Sequence, residues 1–314
     1  MLICGANGFI GKNLLNYFAG KYSVRAIDIN IPLPASPSTD ENNDIEWVRA
    51  DLRKSAAVKS ALKDVDIVLH YAATTTGVAD IVSKPYMHVT DNVVMTSLLL
   101  REAFEQGIKH FIMPSCTLMY QSSDVPVKET DFNENDGIIP KYFGAGNTKV
   151  YLEKMCDFFA GFKKTKYTVL RQSNLYGPYD KFDLAKGHVF AATVVKVMNS
   201  DNKITVWGTG EEERDLLHVS DLINCIETVL KKQESYYELI NVGLGKSITI
   251  SDLVELIITA SGKNLSIEYD ETKPTIKTKL AVDISKAKEK YDWFPKVSLK
   301  EGVSKTLRWY KENK

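Results

Sequence analysis

A glycine-rich turn at the start of the chain constrains its fold more than any other feature. Met1–Cys4 is a short apolar run, and Gly5-Ala6-Asn7-Gly8-Phe9-Ile10-Gly11 follows it directly and leads into an amphipathic helix pattern. Three glycines at this spacing allow a tight turn, a close approach of the backbone to a pyrophosphate and packing of the helix on a sheet. Helix N–H groups at such a turn face the anion. A glycine triplet alone is a weak signal, but between a strand and a helix it predicts a dinucleotide site.

Strand and helix patterns then alternate over the first half of the chain. Short β-branched runs predict strands at Tyr22–Asp28, Ile45–Val48, Val65–Tyr71, His110–Pro114 and Tyr167–Arg171. Longer periods predict helices at Lys12–Ala19, Ala56–Leu62, Val93–Gln106 and Thr148–Phe162. This alternation predicts an α/β fold with a doubly wound parallel sheet of the Rossmann type, which binds ligands at the carboxyl ends of its strands.

Asp28 indicates which dinucleotide binds. It ends the second predicted strand, about 20 residues beyond the glycines, where a carboxylate accepts hydrogen bonds from the adenosine ribose and repels a 2′-phosphate. NAD is therefore favoured over NADP, although an aspartate at a strand end can also simply cap a loop. Asp51-Leu52 and Ala72-Ala73 follow the third and fourth strands, and we expect them beside the cofactor unless they serve only as turns.

The second half of the chain reads as a smaller lobe. After Gly177-Pro178 the segments become shorter, and a capped helix is predicted to begin near Ser251-Asp252. We expect residues 1–175 to form the NAD-binding domain, with a return segment near 205–245, and residues 176–314 to form mainly an interleaved C-terminal α/β lobe. Pro32–Asn43 is predicted to be a surface loop.

Charge and cysteine usage exclude several classes of partner. The 40 basic and 40 acidic residues give a formal net charge of zero, so no excess positive charge favours nucleic acid or an anionic membrane. No apolar run reaches membrane-spanning length, and no secretory signal pattern opens the chain. Cys4, Cys116, Cys156 and Cys225 have neither a disulfide-framework nor a zinc-site spacing, which suits a reducing cytoplasm and predicts no metal site.

Motifs spread over nearly the whole chain carry a family resemblance. They are the glycine turn, Asp51-Leu52, Ala72-Ala73, Lys149 with Glu153, Arg171–Pro178, Arg214–Asp221, Asn241-Val242-Gly243, and Asp283–Ala287 with Trp293-Phe294-Pro295. Together they resemble the extended short-chain dehydrogenases that modify nucleotide sugars. Tyr179–Phe182, Gly187-His188-Val189 and Val206–Gly210 look like the branch that contains GDP-fucose synthases. The resemblance implies an NAD cofactor and a GDP-linked sugar substrate.

The chemistry that the resemblance implies is redox exchange at C4 of the sugar. In the family a tyrosinate exchanges a proton with the sugar hydroxyl while hydride moves between C4 and the nicotinamide. A lysine lowers the tyrosine pKa and holds the nicotinamide ribose. Lys149 matches that lysine, because Glu153 follows it at the family's spacing. The tyrosine should lie four positions earlier, where this chain has Ala145.

Three explanations of Ala145 are open: an engineered replacement of tyrosine, a natural replacement, or a shifted register in which Tyr142 supplies the phenol. We rank Tyr142 last, because Gly146 rather than lysine lies four positions after it and the helix would have to begin differently. If the proton-transfer group is missing, a rate loss of about 10² to 10⁴ is expected, and Ala145→Tyr should restore turnover.

The catalytic hydroxyl is expected in the segment Pro114–Tyr120. Counted back from Tyr120, the family's position holds Cys116, but Thr117 beside it is the preferred residue because a thiol donates only weakly. His188 matches a histidine that epimerising members of the family pair with a cysteine. The matching cysteine position holds Leu118, so simple redox chemistry at C4 is favoured over epimerisation, and His188 can equally just support its loop.

Several residues are candidate contacts for the substrate. Asn174 and Arg214, the latter expected in a loop, match family positions that bind the nucleotide diphosphate, for which a planar guanidinium is well suited. Lys196 and Lys279 are further candidates for phosphate or ribose, and Trp207 for the base. Without the resemblance, solvated lysines and a core tryptophan would be the ordinary interpretation.

The predicted helices Val93–Gln106 and Thr148–Phe162 have more apolar surface than one sheet face needs. Related enzymes pair these two helices across a dimer as a four-helix bundle, so we predict a homodimer. Three functions stay open. The first is an NAD-linked C4 oxidoreductase of a GDP-hexose or GDP-heptose, the second a GDP-4-keto-6-deoxy-sugar epimerase-reductase, and the third a catalytically silent protein that binds NAD and nucleotide sugars.

Overall fold

The structure is a computed structural model of the 314-residue chain. It describes residues 1–31, 45–74, 85–184, 187–273 and 278–314. The predicted surface loop Pro32–Asn43 lies outside the described residues.

A seven-stranded parallel sheet forms the centre of the described chain. β1 to β6 and β10 form this sheet. The strands of the described residues are β1 (Leu2–Cys4), β2 (Val24–Asp28), β3 (Ile45–Arg49), β4 (Ile67–His70), β5 (His110–Ser115), β6 (Lys166–Gln172), β7 (Asn174–Tyr176), β8 (Lys203–Trp207), β9 (Glu213–His218), β10 (Tyr237–Val242), β11 (Ser247–Thr249) and β12 (Ser266–Asp270). The central order is β3-β2-β1-β4-β5-β6-β10, so the winding reverses between β1 and β4. This confirms the predicted Rossmann sheet, whose ligand crevice lies at that reversal.

Helices cover both faces of the central sheet, and others pack in the second half of the chain. The helices of the described residues are α1 (Phe9–Phe18), α2 (Ser55–Ala61), α3 (Pro85–Gln106), α4 (Phe143–Ala160), α5 (Val189–Asn199), α6 (Val219–Lys232), α7 (Ile250–Ser261), α8 (Ser285–Tyr291) and α9 (Leu299–Asn313). On one face α1 and α6 pack through Phe18 and Ile226 in one apolar core. On the other face Leu99 of α3 and Leu152 of α4 lie in a second core. Each face of the parallel sheet is therefore buried.

A third apolar core belongs to the second half of the chain. It gathers Phe190 of α5, Leu253 of α7 and Val303 of α9 around the two-stranded sheet of β8 and β12. A separate three-stranded sheet has the order β11-β9-β7. The Thr249 side chain caps α7 by accepting from the Asp252 N–H, close to the predicted helix start. β10 pairs with β6, as expected of the return segment, while the domain limits stay a prediction.

Two helices begin more than a full turn earlier than the sequence pattern predicts, and α1 begins at Phe9 rather than Lys12. α3 begins at Pro85 rather than near Val93, and α4 begins at Phe143 rather than near Thr148. The first turn of α4 contains Gly144 and Gly146, which are poor helix formers and mask the pattern. An added Cβ at Gly146 would lie 2.9 Å from the Ile138 side chain, so packing against the preceding segment outweighs the weak propensity.

The placement of Arg214 in a loop is wrong. Arg214 lies in β9, which pairs in parallel with β7 and antiparallel with β11. Consecutive charged residues at the start of this strand resemble a loop, but hydrogen bonds to strands on both sides decide the structure. Within the described ranges, none of the helices is long and apolar enough to cross a membrane.

Candidate functional site

The glycine turn leaves no room for side chains. Gly5 has a φ of +76°, and a Cβ there would lie 2.7 Å from the Ala72 backbone. A Cβ on Gly11 would lie 2.1 Å from the Gly5 carbonyl oxygen. α1 starts at Phe9, with Gly8 as an N-cap that has no side chain to occupy the first N–H groups. These N–H groups and the close backbone packing fit the pyrophosphate of a dinucleotide.

Asp28 is held beside that turn by backbone donors. Its Oδ2 accepts from the Asn7 N–H at 3.0 Å, and its Oδ1 accepts from the Asn30 N–H at 3.0 Å. Each oxygen keeps a further lone pair, so the carboxylate is oriented yet still able to accept from ribose hydroxyls. The geometry fits NAD.

The residues after β3 and β4 divide into two groups. Ala72 lies beside the glycine turn, because its backbone packs against Gly5, and Ala73 follows it; the cofactor contacts of both stay predictions. Leu52 is buried in the core beneath α2 and α3. Asp51 binds the Arg53 guanidinium at 2.9 Å, and this hydrogen bond lowers the pKa of Asp51. The proposed cofactor contacts of Asp51 and Leu52 therefore stay predictions, and turn chemistry explains Asp51.

Lys149 and Glu153 connect α4 to the sheet. Lys149 Nζ donates to the Pro114 carbonyl oxygen of β5 at 2.9 Å. Burial lowers the pKa of Lys149, while the nearby Cys116 and Glu153 raise it. Glu153 accepts from Arg171 of β6 at 2.7 Å, and both side chains are buried. The pair thus fixes the helix against two strands, with Ala145 one turn before Lys149.

A cleft at the carboxyl ends of β5 and β6 brings together one predicted catalytic residue and two predicted substrate-binding residues. Thr117, Asn174 and Arg214 line it, together with Leu118, Tyr120, Gln121, Ser122, Ile139, Tyr142, Ser173, Asp215, Thr278, Leu280 and Val282. The cavity between these side chains has a volume of about 60 Å³, which is smaller than the roughly 300–1,000 Å³ of a typical small-molecule site. Cys116, Ala145, Lys149, His188, Lys196, Trp207 and Lys279 are not among its lining residues.

Arg214 and Asn174 are anchored beside each other. Arg214 Nη1 donates to Thr278 Oγ1 at 2.6 Å and to the Thr278 carbonyl oxygen at 3.0 Å. Asn174 Nδ2 donates to the Asp215 carbonyl oxygen at 3.1 Å. Burial lowers the pKa of Arg214, but a guanidinium keeps its charge in proteins. The cleft therefore contains a fixed positive charge, which suits a diphosphate.

Four other predicted contacts lie outside the cleft. Lys196 donates to the Thr205 carbonyl oxygen at 2.7 Å, and its ammonium lies 5.7 Å from the centre of the Trp207 ring. Lys279 pairs with Glu213 at 3.1 Å and with Asp124. His188 is exposed at the N-cap of α5. Their substrate roles stay predictions.

Two tyrosines that the sequence did not favour as site residues also line the cleft. The Tyr120 hydroxyl donates to Asn241 Oδ1 at 2.9 Å and accepts from Arg171 Nη1 at 2.9 Å, so Tyr120 is part of a buried network. Tyr142 immediately precedes α4 and is half-buried at the cleft wall. The available signal was its distance of seven residues from Lys149, which is about two helical turns.

The described ranges contain no cluster of His, Cys, Asp or Glu side chains that could hold a metal ion. Cys4, Cys116, Cys156 and Cys225 are free.

Comparison with known proteins identifies the family. Residues 1–243 match the profile of the NAD dependent epimerase/dehydratase family, so the chain belongs to this family. The family's cofactor is the NAD that the glycine turn and Asp28 predicted.

Relatives match along the full chain. A GDP-L-colitose synthase from Yersinia pseudotuberculosis is 25% identical over 321 residues, which cover 100% of this chain and 98% of that protein. A UDP-glucuronate 4-epimerase from Thermodesulfobacterium geofontis is 26% identical over 324 residues, covering 99% and 96%. The crystal structure of a UDP-glucose 4-epimerase from Thermotoga maritima with UDP-glucose has 26% identity and a TM-score of 0.85, covering 99% and 98%. Relatives named for GDP-linked and for UDP-linked sugars thus match at similar identity.

Proposed function

We propose that this protein catalyses NAD-linked oxidation or reduction at C4 of a nucleotide-diphosphate sugar, and that the sugar is a GDP-linked hexose or heptose. The observation that carries this proposal is the cleft in which Thr117, Asn174 and Arg214 meet at the carboxyl edge of the sheet. The glycine turn lies at the same edge, after β1. A hydroxyl, an amide and a fixed guanidinium beside a dinucleotide groove are suited to a sugar diphosphate.

Each residue has a distinct proposed role. Arg214 and Asn174 bind the diphosphate, and the Thr117 hydroxyl hydrogen-bonds to the reacting sugar oxygen. Lys149 turns from the Pro114 carbonyl to the nicotinamide ribose, and the glycine turn binds the pyrophosphate. When bound, NAD supplies the acceptor or donor of the hydride. Thr117 is preferred to Cys116 because it lines the cleft.

The choice of GDP rests on the sequence. The segments Tyr179–Phe182, Gly187–Val189 and Val206–Gly210 are similar to the GDP-fucose synthase branch, and a GDP-L-colitose synthase is among the relatives. In this proposal Trp207 contacts the base and Lys196 and Lys279 contact phosphate or ribose, with His188 near the sugar.

A substrate panel tests this function. The purified protein is mixed with NAD and GDP-linked hexoses and heptoses, with the matching UDP-linked sugars as controls, and reduced nicotinamide is followed by absorbance. We expect reduced nicotinamide to accumulate with a GDP-linked sugar, and NMR of the product to reveal a C4 ketone. The reverse reaction starts from the 4-keto sugar and reduced NAD. Absence of turnover in both directions with every sugar would refute the proposal.

Solvent deuterium separates the reductase from the epimerase-reductase. Simple redox chemistry at C4 leaves C3 and C5 without deuterium, whereas epimerisation exchanges the protons there. Leu118 at the family's cysteine position supports the first outcome. Mass spectrometry of the product in heavy water makes the distinction.

A second candidate function is a binding protein without turnover. Ala145 favours it, because a methyl group cannot transfer a proton. Such a protein would bind NAD and GDP-sugar in calorimetric titrations, yet produce no reduced nicotinamide.

We also propose that the protein is a cytoplasmic homodimer. Val94 of α3 and Tyr151, Phe158 and Phe162 at α4 and its end are exposed by 42%, 44%, 56% and 54%. These side chains support pairing of α3 and α4 with a second copy, because large exposed apolar patches mark interaction sites. The free cysteines suit a reducing cytoplasm.

A further inference from the structure

We propose that Tyr142 is the group that exchanges a proton with the sugar's C4 hydroxyl, in place of the tyrosine that position 145 lacks. The inference rests on the C4 chemistry proposed above and adds to it the residue that carries the proton. Among the three explanations of Ala145, Tyr142 ranked last from the sequence, because the helix would have to begin differently. The structure favours Tyr142 instead.

The first argument is the position of Tyr142 on the helix. Tyr142 ends a short turn, Pro140–Tyr142, and α4 continues from Phe143. Tyr142, Ala145 and Lys149 are spaced by three and then four residues, which places them along one side of a helix. Tyr142 therefore lies one turn before the vacant position, at an axial separation of about 4.5 Å. A phenol can cover such a distance.

The second argument is access to the cleft. Tyr142 lines the cleft with Thr117, Asn174 and Arg214, whereas Ala145 does not. The cleft's other tyrosine, Tyr120, has its hydroxyl engaged by Asn241 and Arg171. Among the described lining residues, Tyr142 is therefore the phenol that can meet a bound sugar.

The third argument is how the chain brings Tyr142 there. An added Cβ at Gly146 would lie 2.9 Å from Ile138, so the missing side chain lets the preceding segment fold onto the first turn of α4. The Tyr142 N–H donates to the Ile139 carbonyl oxygen at 2.7 Å, which closes this segment. Together these contacts hold Tyr142 at the cleft wall.

The surroundings of the Tyr142 phenol act on its pKa in opposite directions. Burial, the largest effect, raises the pKa of Tyr142 above its usual value, the Arg214 guanidinium partly offsets this, and Cys116 adds a small further rise. Arg214 therefore acts on this phenol in the way that the family's lysine acts on a tyrosine at the vacant position. The same guanidinium, by binding the diphosphate, brings the sugar to the phenol.

The step balances as follows. In oxidation, the C4–H bond of the sugar breaks and its hydride, with two electrons, goes to the nicotinamide. The O–H bond at C4 breaks, its proton goes to the Tyr142 phenolate oxygen, and the C4=O double bond forms. Tyr142 then releases the proton to solvent. Reduction runs the same transfers in reverse, and the Thr117 hydroxyl hydrogen-bonds to the sugar oxygen throughout.

The principal variant is Tyr142→Phe, which removes the hydroxyl and keeps the ring. We expect kcat to fall by about 10² to 10⁴, as for loss of a general acid or base, with little change in sugar KM or in the NAD Kd. The matched control is Tyr236→Phe, which removes a phenol from an exposed tyrosine outside the cleft and should leave kcat unchanged. In the native protein, kcat for oxidation should fall as the pH is lowered and the phenolate is protonated. This fall should disappear in Tyr142→Phe.

A spectroscopic readout is independent of turnover. In protein labelled with ¹³Cζ-tyrosine, the Tyr142 signal is assigned as the one missing from Tyr142→Phe. We expect its titration midpoint to fall when NAD alone is added, because the positive charge of an oxidised nicotinamide would favour the phenolate, while the Tyr236 signal stays constant. A Tyr142 signal that does not respond to NAD would overturn the proposal.

A transplanted tyrosine completes the test. In the double variant Tyr142→Phe with Ala145→Tyr, the phenol lies four positions before Lys149, and we expect turnover to return, while Ala145→Tyr alone gives no gain. If Tyr142→Phe is fully active, or if Ala145→Tyr alone raises turnover about 10²-fold, Tyr142 is not the proton carrier and the C4 function stands. If neither the native protein nor Ala145→Tyr turns over any nucleotide sugar, the C4 function itself fails.

Discussion

The proposed pyrophosphate site is one continuous turn of backbone, whereas the proposed substrate cleft is assembled from side chains on five separate segments of the chain. In the turn, Gly5 and Gly11 are required because a single added carbon would overlap backbone atoms. In the cleft, Thr117, Arg214 and Thr278 meet only because strands and loops far apart in sequence fold to one edge. Binding at the glycine turn should therefore depend on the size of the side chains there, and binding in the cleft should depend on which chemical groups they carry.

The largest effect is expected from Gly11→Ala. Its methyl group would lie 2.1 Å from the Gly5 carbonyl oxygen, and overpacking of this kind costs about 1–3 kcal/mol or more. We expect the Kd for NAD, measured by calorimetry, to rise by at least about 10- to 100-fold, together with a lower Tm. Gly262→Ala is the control for lost stability alone: its φ of +77° strains an alanine at the end of α7, outside the glycine turn, so the Tm should fall while the NAD Kd stays unchanged. Unchanged NAD binding in Gly11→Ala would show that the turn does not need its shape.

Arg214→Lys tests the cleft by changing the group and keeping the charge. A lysine cannot reproduce the planar fork, and hydrogen bonds to charged groups contribute about 1.5–3 kcal/mol. We expect the sugar KM to rise about 10- to 100-fold while the NAD Kd stays constant. Arg101→Lys on the exposed side of α3 serves as the control. A rise in the NAD Kd equal to that in KM would mean that the two regions are not separate.

Asp28→Ala should have a smaller effect, confined to the choice of dinucleotide. The variant loses both the acceptor for ribose and the repulsion of a phosphate. We expect the ratio of the NADP and NAD Kd values to fall about tenfold, which corresponds to about 1.4 kcal/mol. Asp28→Asn, which keeps the size and loses the charge, separates repulsion from hydrogen bonding. Equal affinity of the native protein for the two cofactors would already contradict this assignment.

The smallest effect on either region is expected from the proposed dimer face. Phe158→Glu with Phe162→Glu places charges on exposed apolar positions away from both sites. We expect analytical ultracentrifugation to give a dimer for the native protein and a monomer for the variant, with the NAD Kd unchanged. Phe294→Glu, an exposed phenylalanine elsewhere, should remain dimeric. A native protein that is monomeric at micromolar concentration would refute the dimer.

The same contrast explains what the sequence could predict. The glycine turn follows β1 and Asp28 ends the adjacent strand β2, so their spacing was enough to predict the NAD cofactor. The alternation of strands and helices was enough to predict the sheet. Arg214 was expected in a loop because Glu213-Arg214-Asp215 is charged, and only its pairing with two other strands makes it part of β9.

Tyr142 illustrates a second limit. Its position depends on Ile138 packing against Gly146 and on the early start of α4, which the weak pattern over Gly144 and Gly146 conceals. The motif that points to position 145 depends only on the four-residue spacing from Lys149 within α4. Which side chain reaches the cleft depends on the segment before that helix.

The buried contacts around Arg171 have a consequence for how the protein is made. Arg171 joins Glu153 of α4 to Tyr120, and Tyr120 is bound in turn by Asn241 of β10. During synthesis, β6 leaves the ribosome well before β10. The edge of β6 that pairs with β10, and the Arg171 contacts that include Asn241, therefore stay incomplete until β10 has been synthesised. An unpaired edge strand is prone to join other chains. Nascent chains stalled between β6 and β10 should therefore depend on chaperones, and α4 should reach its final position only after β10 has been added.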